Sequence, residues 1–333
     1  MKKIGILLGD STGVGPEIVA KTLAEEKDLF QTFKPLIIGD TDVLDRAAEF
    51  VDRSVNYLPT TSVDGISWDG DNAPFLNLHN EDLEQTPIGK PNKISGKAVL
   101  EQIDTACDLC KKGIIDGFVF ASFNKQAMKE AGLKHESEHH LFAELFNVKD
   151  SFGEINMIEG LMTTRVTSHI PLKDVNKNLD INKIVDSTRL CYDTVKQSGV
   201  KEPKIGVSAL NPHGGENGTM GNEEIDIIRP AIDKIHELGM DTVSGPYPSD
   251  TLFVKAINNH ELDGVVTMYH DQGQIAVKLN GFPGGVTIAG GQPYPITTPA
   301  HGTGYDIVGK GIALNTAFIN AVETAVKLVN GTS

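Results

Sequence analysis

Residues 268–312 read MYHDQGQIAVKLNGFPGGVTIAGGQPYPITTPAHGTGYDIVGKGI. Apolar runs lead into this stretch and punctuate it, so its polar residues are expected at strand ends and in loops. It carries His270, His301, Asp271, Asp306, Lys278, Lys310 and ten glycines. That mixture suits a site that holds a metal and an anionic ligand better than a plain core segment.

Outward from there, short apolar runs alternate with helix-like stretches. Residues 4–8, 35–38, 117–121, 205–209 and 265–268 read as buried strands. Residues 16–25, 95–112, 125–131, 140–146, 182–198, 223–238, 250–258 and 313–329 have the apolar spacing of helices. This alternation predicts an α/β fold, a mostly parallel sheet covered by helices on both faces. Residues 155–158 and 161–167, joined by Glu159-Gly160, read instead as antiparallel strands. Residues 54–94 are polar and irregular, with Pro59, Pro74, Pro87 and Pro91, and read as an excursion from the sheet.

The chain of 333 residues is too long for one small core and suits two lobes. Its composition is that of a soluble globular protein, and its net charge of -15 disfavours nucleic acid and anionic membranes. A cleft for anionic ligands would therefore have to be locally basic. No membrane span or signal core is visible, and a cytoplasmic location is expected. Cys107 and Cys110 form a CxxC, but they share a helical face with Ile103, and no second CxxC occurs. Buried cysteines in a reducing compartment are the expectation.

Three groups of residues suggest chemistry. Gly9-Asp10-Ser11-Thr12-Gly13-Val14-Gly15-Pro16 follows the first strand and opens a helix, an arrangement that lets backbone amides meet an anion. Its spacing is neither GxGxxG nor a Walker loop, so it reads equally as a connecting turn. His169, His213 and His270 each follow a different predicted strand. Imidazoles so placed can converge on one divalent ion such as zinc, although each alone also reads as a structural or solvated histidine. The Gly-rich loop from His301 to Lys310 offers close approach to a flat or charged ligand. Asp306 there could accept hydrogen bonds from a ribose and would repel a 2′-phosphate; a tight surface loop is the alternative.

These segments, with Asn124-Lys125, His169-Ile170-Pro171-Leu172, Asn211-Pro212-His213, Pro248-Ser249-Asp250-Thr251-Leu252-Phe253 and Tyr269-His270-Asp271-Gln272-Gly273-Gln274, resemble the 4-hydroxythreonine-4-phosphate dehydrogenase family of vitamin B6 (pyridoxine) synthesis along nearly the whole chain. The loop from His301 also resembles the NAD-adenosine loop of isocitrate and isopropylmalate dehydrogenases, with which that family shares its fold. The resemblance implies a cofactor-side lobe of residues 1–125 and 285–333, and a metal, substrate and dimerisation lobe of residues 126–284. It implies a homodimer with an interlobe active site built from both subunits. By it, His169, His213 and His270 bind one divalent metal (Zn, Mg, Mn or Co). Gly13, Gly15, His301, Gly302, Thr303 and Asp306 bind NAD. Lys278 contacts substrate, and Asp250 and Asp271 orient histidines or relay a proton.

The chain also departs from the family pattern. A His-Thr pair that meets substrate aligns with Glu138-His139, an asparagine contact with Thr287, and an arginine contact with Ile296. Isoleucine cannot supply a bidentate clamp for an anion. The implied activity is NAD- and metal-dependent oxidation, with decarboxylation, of a β-hydroxy acid. Candidate substrates are 4-hydroxythreonine 4-phosphate or, given these departures, threonate or erythronate phosphate. A carboxylated cis-dihydrodiol is an alternative. A non-catalytic metal- or sugar-phosphate-binding protein is a rival reading. A phosphotransferase would need a phosphate loop that is absent.

Overall fold

The computed structural model describes residues 1–70 and 72–331, with the backbone alone for Phe282. The chain forms two compact units, Met1–Lys149 with Gln292–Gly331, and Asp150–Gly291. The segment 126–149, expected with the second lobe, packs in the first. There Phe142 meets Phe118 edge-on at 5.7 Å between ring centroids.

The first unit holds strands β1 (Lys3–Leu7), β2 (Lys34–Gly39), β3 (Tyr57–Thr60), β4 (Ala73–Asn77), β5 (Gly117–Phe120) and β12 (Ile296–Pro299). They lie in the order β3-β4-β2-β1-β5-β12, and their pairings are parallel. Its helices are α1 (Gly15–Glu25), α2 (Thr41–Phe50), α3 (Lys93–Lys111), α4 (Lys125–Glu130), α5 (Glu138–Leu145) and α11 (Thr316–Gly331). Ile4, Ile6, Ile37, Phe75 and Phe118 are fully buried, as near-continuous apolar strands covered by helices require. Asp40, Asn92 and Asn124 cap α2, α3 and α4 by accepting from the amides of Asp42, Ile94 and Ala127. Such caps contribute about 1 kcal/mol each.

The second unit holds β6 (Gly153–Ile158), β7 (Leu161–Arg165), β8 (Ile205–Ser208), β9 (Val243–Tyr247), β10 (Gly264–Thr267) and β11 (Val286–Gly290), in the order β11-β6-β7-β10-β8-β9. The expected hairpin is present: β6 pairs antiparallel with both β7 and β11, and the remaining pairs are parallel. Its helices are α6 (Val175–Asn178), α7 (Ile181–Gln197), α8 (Arg229–Glu237), α9 (Ser249–Phe253) and α10 (His270–Gly281). Two α/β lobes with mostly parallel strands match the expectation.

Four local readings need correction. Residues 54–94 do not leave the sheet: β3 and β4 lie within them and pair with each other, and β4 also pairs with β2. Their prolines are tolerated at strand starts and in an edge strand. α2 was not anticipated. Asp271 and Lys278 lie on a helix, α10, and not in a loop, while His270 opens that helix just past β10, the strand end at which it was expected. The helix expected over residues 223–238 begins with a π-helical turn, Glu224–Ile228. Among the described residues no helix is long and apolar enough to cross a membrane. All three cysteines are free and buried, and burial pushes the Cys107 and Cys191 thiols up to about 12.

Candidate functional site

In the second unit, His169 follows β7 and His270 opens α10. Their ring centroids lie 5.8 Å apart. Backbone and side-chain bonds tie the two turns together. Val166 and Thr167 donate their amides to the carbonyls of Thr267 and Met268, and Thr167 Oγ1 donates to the Met268 carbonyl at 2.7 Å. Gln272 receives the Met268 amide and donates to the Ala209 carbonyl. His270 Nδ1 lies 2.7 Å from Asp271 Oδ1. With the carboxylate accepting from Nδ1–H, Nε2 is the ring's free lone pair.

His213 lies on the loop after β8. The base of that loop is pinned by buried Glu224, which accepts from the amides of Leu210 and Asn211. Five successive residues, His213 to Asn217, have left-handed backbone, with φ from 45° to 76°. Three of them carry a Cβ, each at a cost of about 1–2 kcal/mol. His213 is exposed and lies 4.0 Å from Glu216. Among the described residues no three His, Cys, Asp or Glu side chains stand together as a metal site. The structure brings two of the three expected imidazoles, His169 and His270, near one another, and His213 is not with them; imidazole donors suit a divalent ion in kind.

Asp250 is exposed in the first turn of α9, and Lys278 is exposed two turns along α10. Thr287 is half-buried on β11, where its Oγ1 accepts from Asn156 Nδ2 at 3.2 Å. Asn156 belongs to a polar cluster with Glu154, Arg165, Ser168 and Gln274, which no local sequence pattern marks. Strand alternation does place Asn156 and Thr287 on one face, once β6 and β11 are known to pair.

In the first unit, the loop after β1 and the loop from His301 grip one another. Thr303 accepts the Val14 amide at 2.9 Å. Ser122 Oγ donates to the His301 carbonyl at 2.9 Å. Tyr305 donates its hydroxyl to buried Asp10 at 3.0 Å, and burial is the main cause that pushes its pKa up to about 12. Buried Glu17 accepts the amides of Gly309 and Gly311 at 2.5 and 3.1 Å. A Cβ on Gly13 would lie 2.7 Å from the Thr303 carbonyl, and one on Gly15 3.0 Å from Ala121. Close packing within the unit therefore accounts for both glycines without a ligand.

The open side of this loop is elsewhere. His301 Nε2 is buried and has no hydrogen-bond partner among the described residues, and a Cβ on Gly302 would meet nothing within 4 Å. Asp306 is exposed, and its carbonyl accepts from Lys310 Nζ. Nearby, Ser11 donates to Glu81, while Asp40 accepts the amides of Asn80 and Glu81. Burial above all pushes the Glu81 carboxyl up to about 7, against the lowering effect of the Ser11 hydrogen bond.

Of the expected substrate residues in this unit, Glu138 lies in the first turn of α5, 3.8 Å from Lys125 Nζ. His139 beside it is buried, edge-on to Phe142. Ile296 is fully buried in β12, opposite Phe118 of β5. Its side chain is part of the core, so it is in no position to touch a ligand.

The model of the pyridoxal phosphate biosynthetic protein PdxA matches residues 31–325. A Pasteurella multocida protein provisionally named 4-hydroxythreonine-4-phosphate dehydrogenase is 39% identical over 334 residues, covering 98% of this chain and 97% of that one. An Oceanobacillus iheyensis protein provisionally named D-threonate 4-phosphate dehydrogenase is 36% identical, covering 98% and 97%. The crystal structure of 4-hydroxythreonine-4-phosphate dehydrogenase from Klebsiella pneumoniae superposes with a TM-score of 0.87 at 30% identity, covering 98% of each chain. A β-decarboxylating dehydrogenase from Thermococcus kodakarensis, at 13% identity, TM-score 0.53 and coverage of 100% and 85%, shares the fold alone. With a match along almost its whole length, this chain belongs to the pyridoxal phosphate biosynthetic protein PdxA family.

Proposed function

We propose that the protein is a dehydrogenase that oxidises a phosphorylated β-hydroxy acid, with NAD as hydride acceptor and one divalent metal. The observation that carries this reading is the pairing of His169 with His270, and of His270 with Asp271, in a member of this family. His169 and His270 would hold the ion, with His213 as third ligand brought in by its loop. When bound, the ion supplies Lewis-acid polarisation of the substrate hydroxyl. Asp271, through Nδ1, keeps the His270 ring in the tautomer that ligates. Asp250, exposed at a helix start, is free to take up the hydroxyl proton. Lys278 offers positive charge to a carboxylate or phosphate.

Bound NAD would supply the hydride acceptor, and Asp250 would take the proton of the secondary alcohol. Decarboxylation of the β-keto acid would release carbon dioxide and leave the bonding pair as an enolate, which then takes up a proton. Cofactor binding is assigned to the loop from His301, where the buried, unpartnered Nε2 of His301 and the open flank of Gly302 support it. Gly13 and Gly15 contribute by letting that loop pack. A four-carbon sugar-acid phosphate, threonate or erythronate 4-phosphate, is preferred over 4-hydroxythreonine 4-phosphate. The buried Ile296 provides no anion clamp, and Glu138 adds a carboxylate where a histidine is usual. The enzyme is assigned to the cytoplasm as a homodimer.

The test is a screen of the three phosphorylated acids and their unphosphorylated forms. Each is offered with NAD and zinc, magnesium, manganese or cobalt, and NADH absorbance is followed. Metal- and NAD-dependent signal with a phosphorylated acid supports the reading. No NADH from any combination rejects it.

A further inference from the structure

We propose that Asn156 is a positioning residue that makes Thr287 a hydrogen-bond donor to the substrate, and that Arg165 and Gln274 fix Asn156 in the orientation that does so. The proposal deepens the function above and rests on reading Thr287 as a substrate contact.

Arg165 anchors the cluster. Its side chain is only 7% exposed, and each face of its guanidinium edge has a partner. Nη2 lies 3.1 Å from Glu154 Oε2, Nε donates to Ser168 Oγ at 2.9 Å, and Nη1 donates to Asn156 Oδ1 at 2.9 Å. A guanidinium can only donate, so the Asn156 atom facing it must be the oxygen. Gln274, from α10, donates its Nε2 to that same oxygen. The reversed amide would press an NH2 group against a cation. The orientation of Asn156 is thus dictated by chemistry, and Nδ2 must face the other way.

There Nδ2 donates to Glu154 Oε1 at 2.8 Å and to Thr287 Oγ1 at 3.2 Å. Asn156 and Thr287 are direct partners across the β6–β11 ladder, so the contact is built into the register. Thr287 Oγ1 is therefore an acceptor inside the unit. Its own proton is taken by no acceptor among the described residues, and the side chain is half-buried. A hydroxyl so arranged offers one donor outward. It suits a carboxylate, phosphate or alkoxide-like oxygen, whereas the amide of an asparagine there would present both a donor and an acceptor. The same cluster joins the two turns that carry His169 and His270: Ser168 precedes one, and Gln274 lies one helical turn beyond the other. Asn156, 6% exposed, is too deeply buried to reach a ligand itself and acts through Thr287.

The test is a double-mutant cycle in steady-state kinetics with NAD, metal and the acid that the wild type uses best, with binding of that acid followed by calorimetry. Asn156→Asp still accepts from Arg165 and Gln274 but cannot donate to Thr287, whose proton then turns inward. Thr287→Val removes the proton. Each should raise KM about tenfold, the range of one lost hydrogen bond to a charged group, with little change in kcat. The double variant should be no worse than Thr287→Val, and Thr287→Ser should keep the wild-type KM. Wild-type KM in Asn156→Asp, or effects that multiply in the double variant, would overturn the proposal. Should Asn156→Asp not fold, an unchanged KM in Thr287→Val overturns it by itself. A wild type that neither binds nor turns over any of the acids overturns the proposed function as well, which separates the two failures.

Discussion

The two units contrast in the polar residues that flank their candidate sites. In the first, the carboxylates of Asp10 and Glu17 are buried and engaged by groups of the same unit: Thr12 and Tyr305 for one, the amides of Gly309 and Gly311 for the other. In the second, Asp250, Lys278, His169 and His213 lie at the surface, and His270 has the carboxylate of Asp271 within hydrogen-bond distance. The lesson is that a polar residue in a glycine-rich loop is not by that fact a ligand contact. Burial and partner count decide whether it holds the loop or meets what comes to it.

The largest effect should fall on the exposed set. His270→Ala, and separately His169→Ala, should abolish bound metal, read by elemental analysis after dialysis, and lower turnover by about a thousandfold or more. The melting temperature of the metal-free protein should stay within a few degrees, because exposed side chains contribute little to stability. Full metal occupancy in His270→Ala would remove the second unit from its side of the comparison. Asp271→Asn, acting through the ring, should weaken metal binding by about ten- to a hundredfold.

The buried set should show the converse. Glu17→Ala leaves two inward amides without an acceptor and should lower stability by about 3–5 kcal/mol in chemical denaturation. Metal affinity should be unaffected. A loss of metal affinity with unchanged stability would show that the two regions differ less than their geometry says.

Much of this division was hidden from the sequence for physical reasons. The β/α alternation and the β6–β7 hairpin were legible because they depend on local apolar period and on Glu159-Gly160. β3 and β4 were not, since YLPT and APFLN are short and each contains a proline. α10 was missed because Gly273 interrupts it and Ile275 and Leu279 are exposed, which blurs its apolar stripe. The placement of histidines after strands could be read, but their mutual distances could not. The Glu17 clamp spans 292 residues, and no local pattern announces such a partner.

Glu81 lies between the two behaviours, since it is buried and yet titrates near neutrality. Its folded pKa of about 7 is raised above the ordinary value of 4.5, so the native state holds its proton more tightly than the unfolded chain. The associated stability is fully present below pH 4.5 and is lost as pH rises through 7. The size is about 3 kcal/mol across that window. Glu81→Gln should flatten the fall in unfolding free energy between pH 5 and 8. An unchanged slope would place the titrating group elsewhere.

The smallest effect sharpens the comparison most, because it concerns the residue of the first unit that breaks its rule. Asp306 sits on the clamped loop, yet among the described residues its engagement is through the backbone, the carbonyl accepting from Lys310 Nζ, and its side chain is exposed. By the logic above, an exposed carboxylate on a loop held rigid by Glu17, Asp10 and Ser122 is the one placed to meet a ligand. An acidic side chain accepts from the two hydroxyls of an unphosphorylated ribose and repels a 2′-phosphate. The native protein should therefore use NAD in preference to NADP. Asp306→Ser should narrow that preference about tenfold in kcat/KM, roughly the weight of one charge-assisted hydrogen bond and the repulsion it implies. Stability should not change, since no internal partner is lost. A native preference for NADP would mean that this loop, for all its rigidity, does not face the adenosine ribose, and that Asp306 is only a solvated residue on a well-built turn.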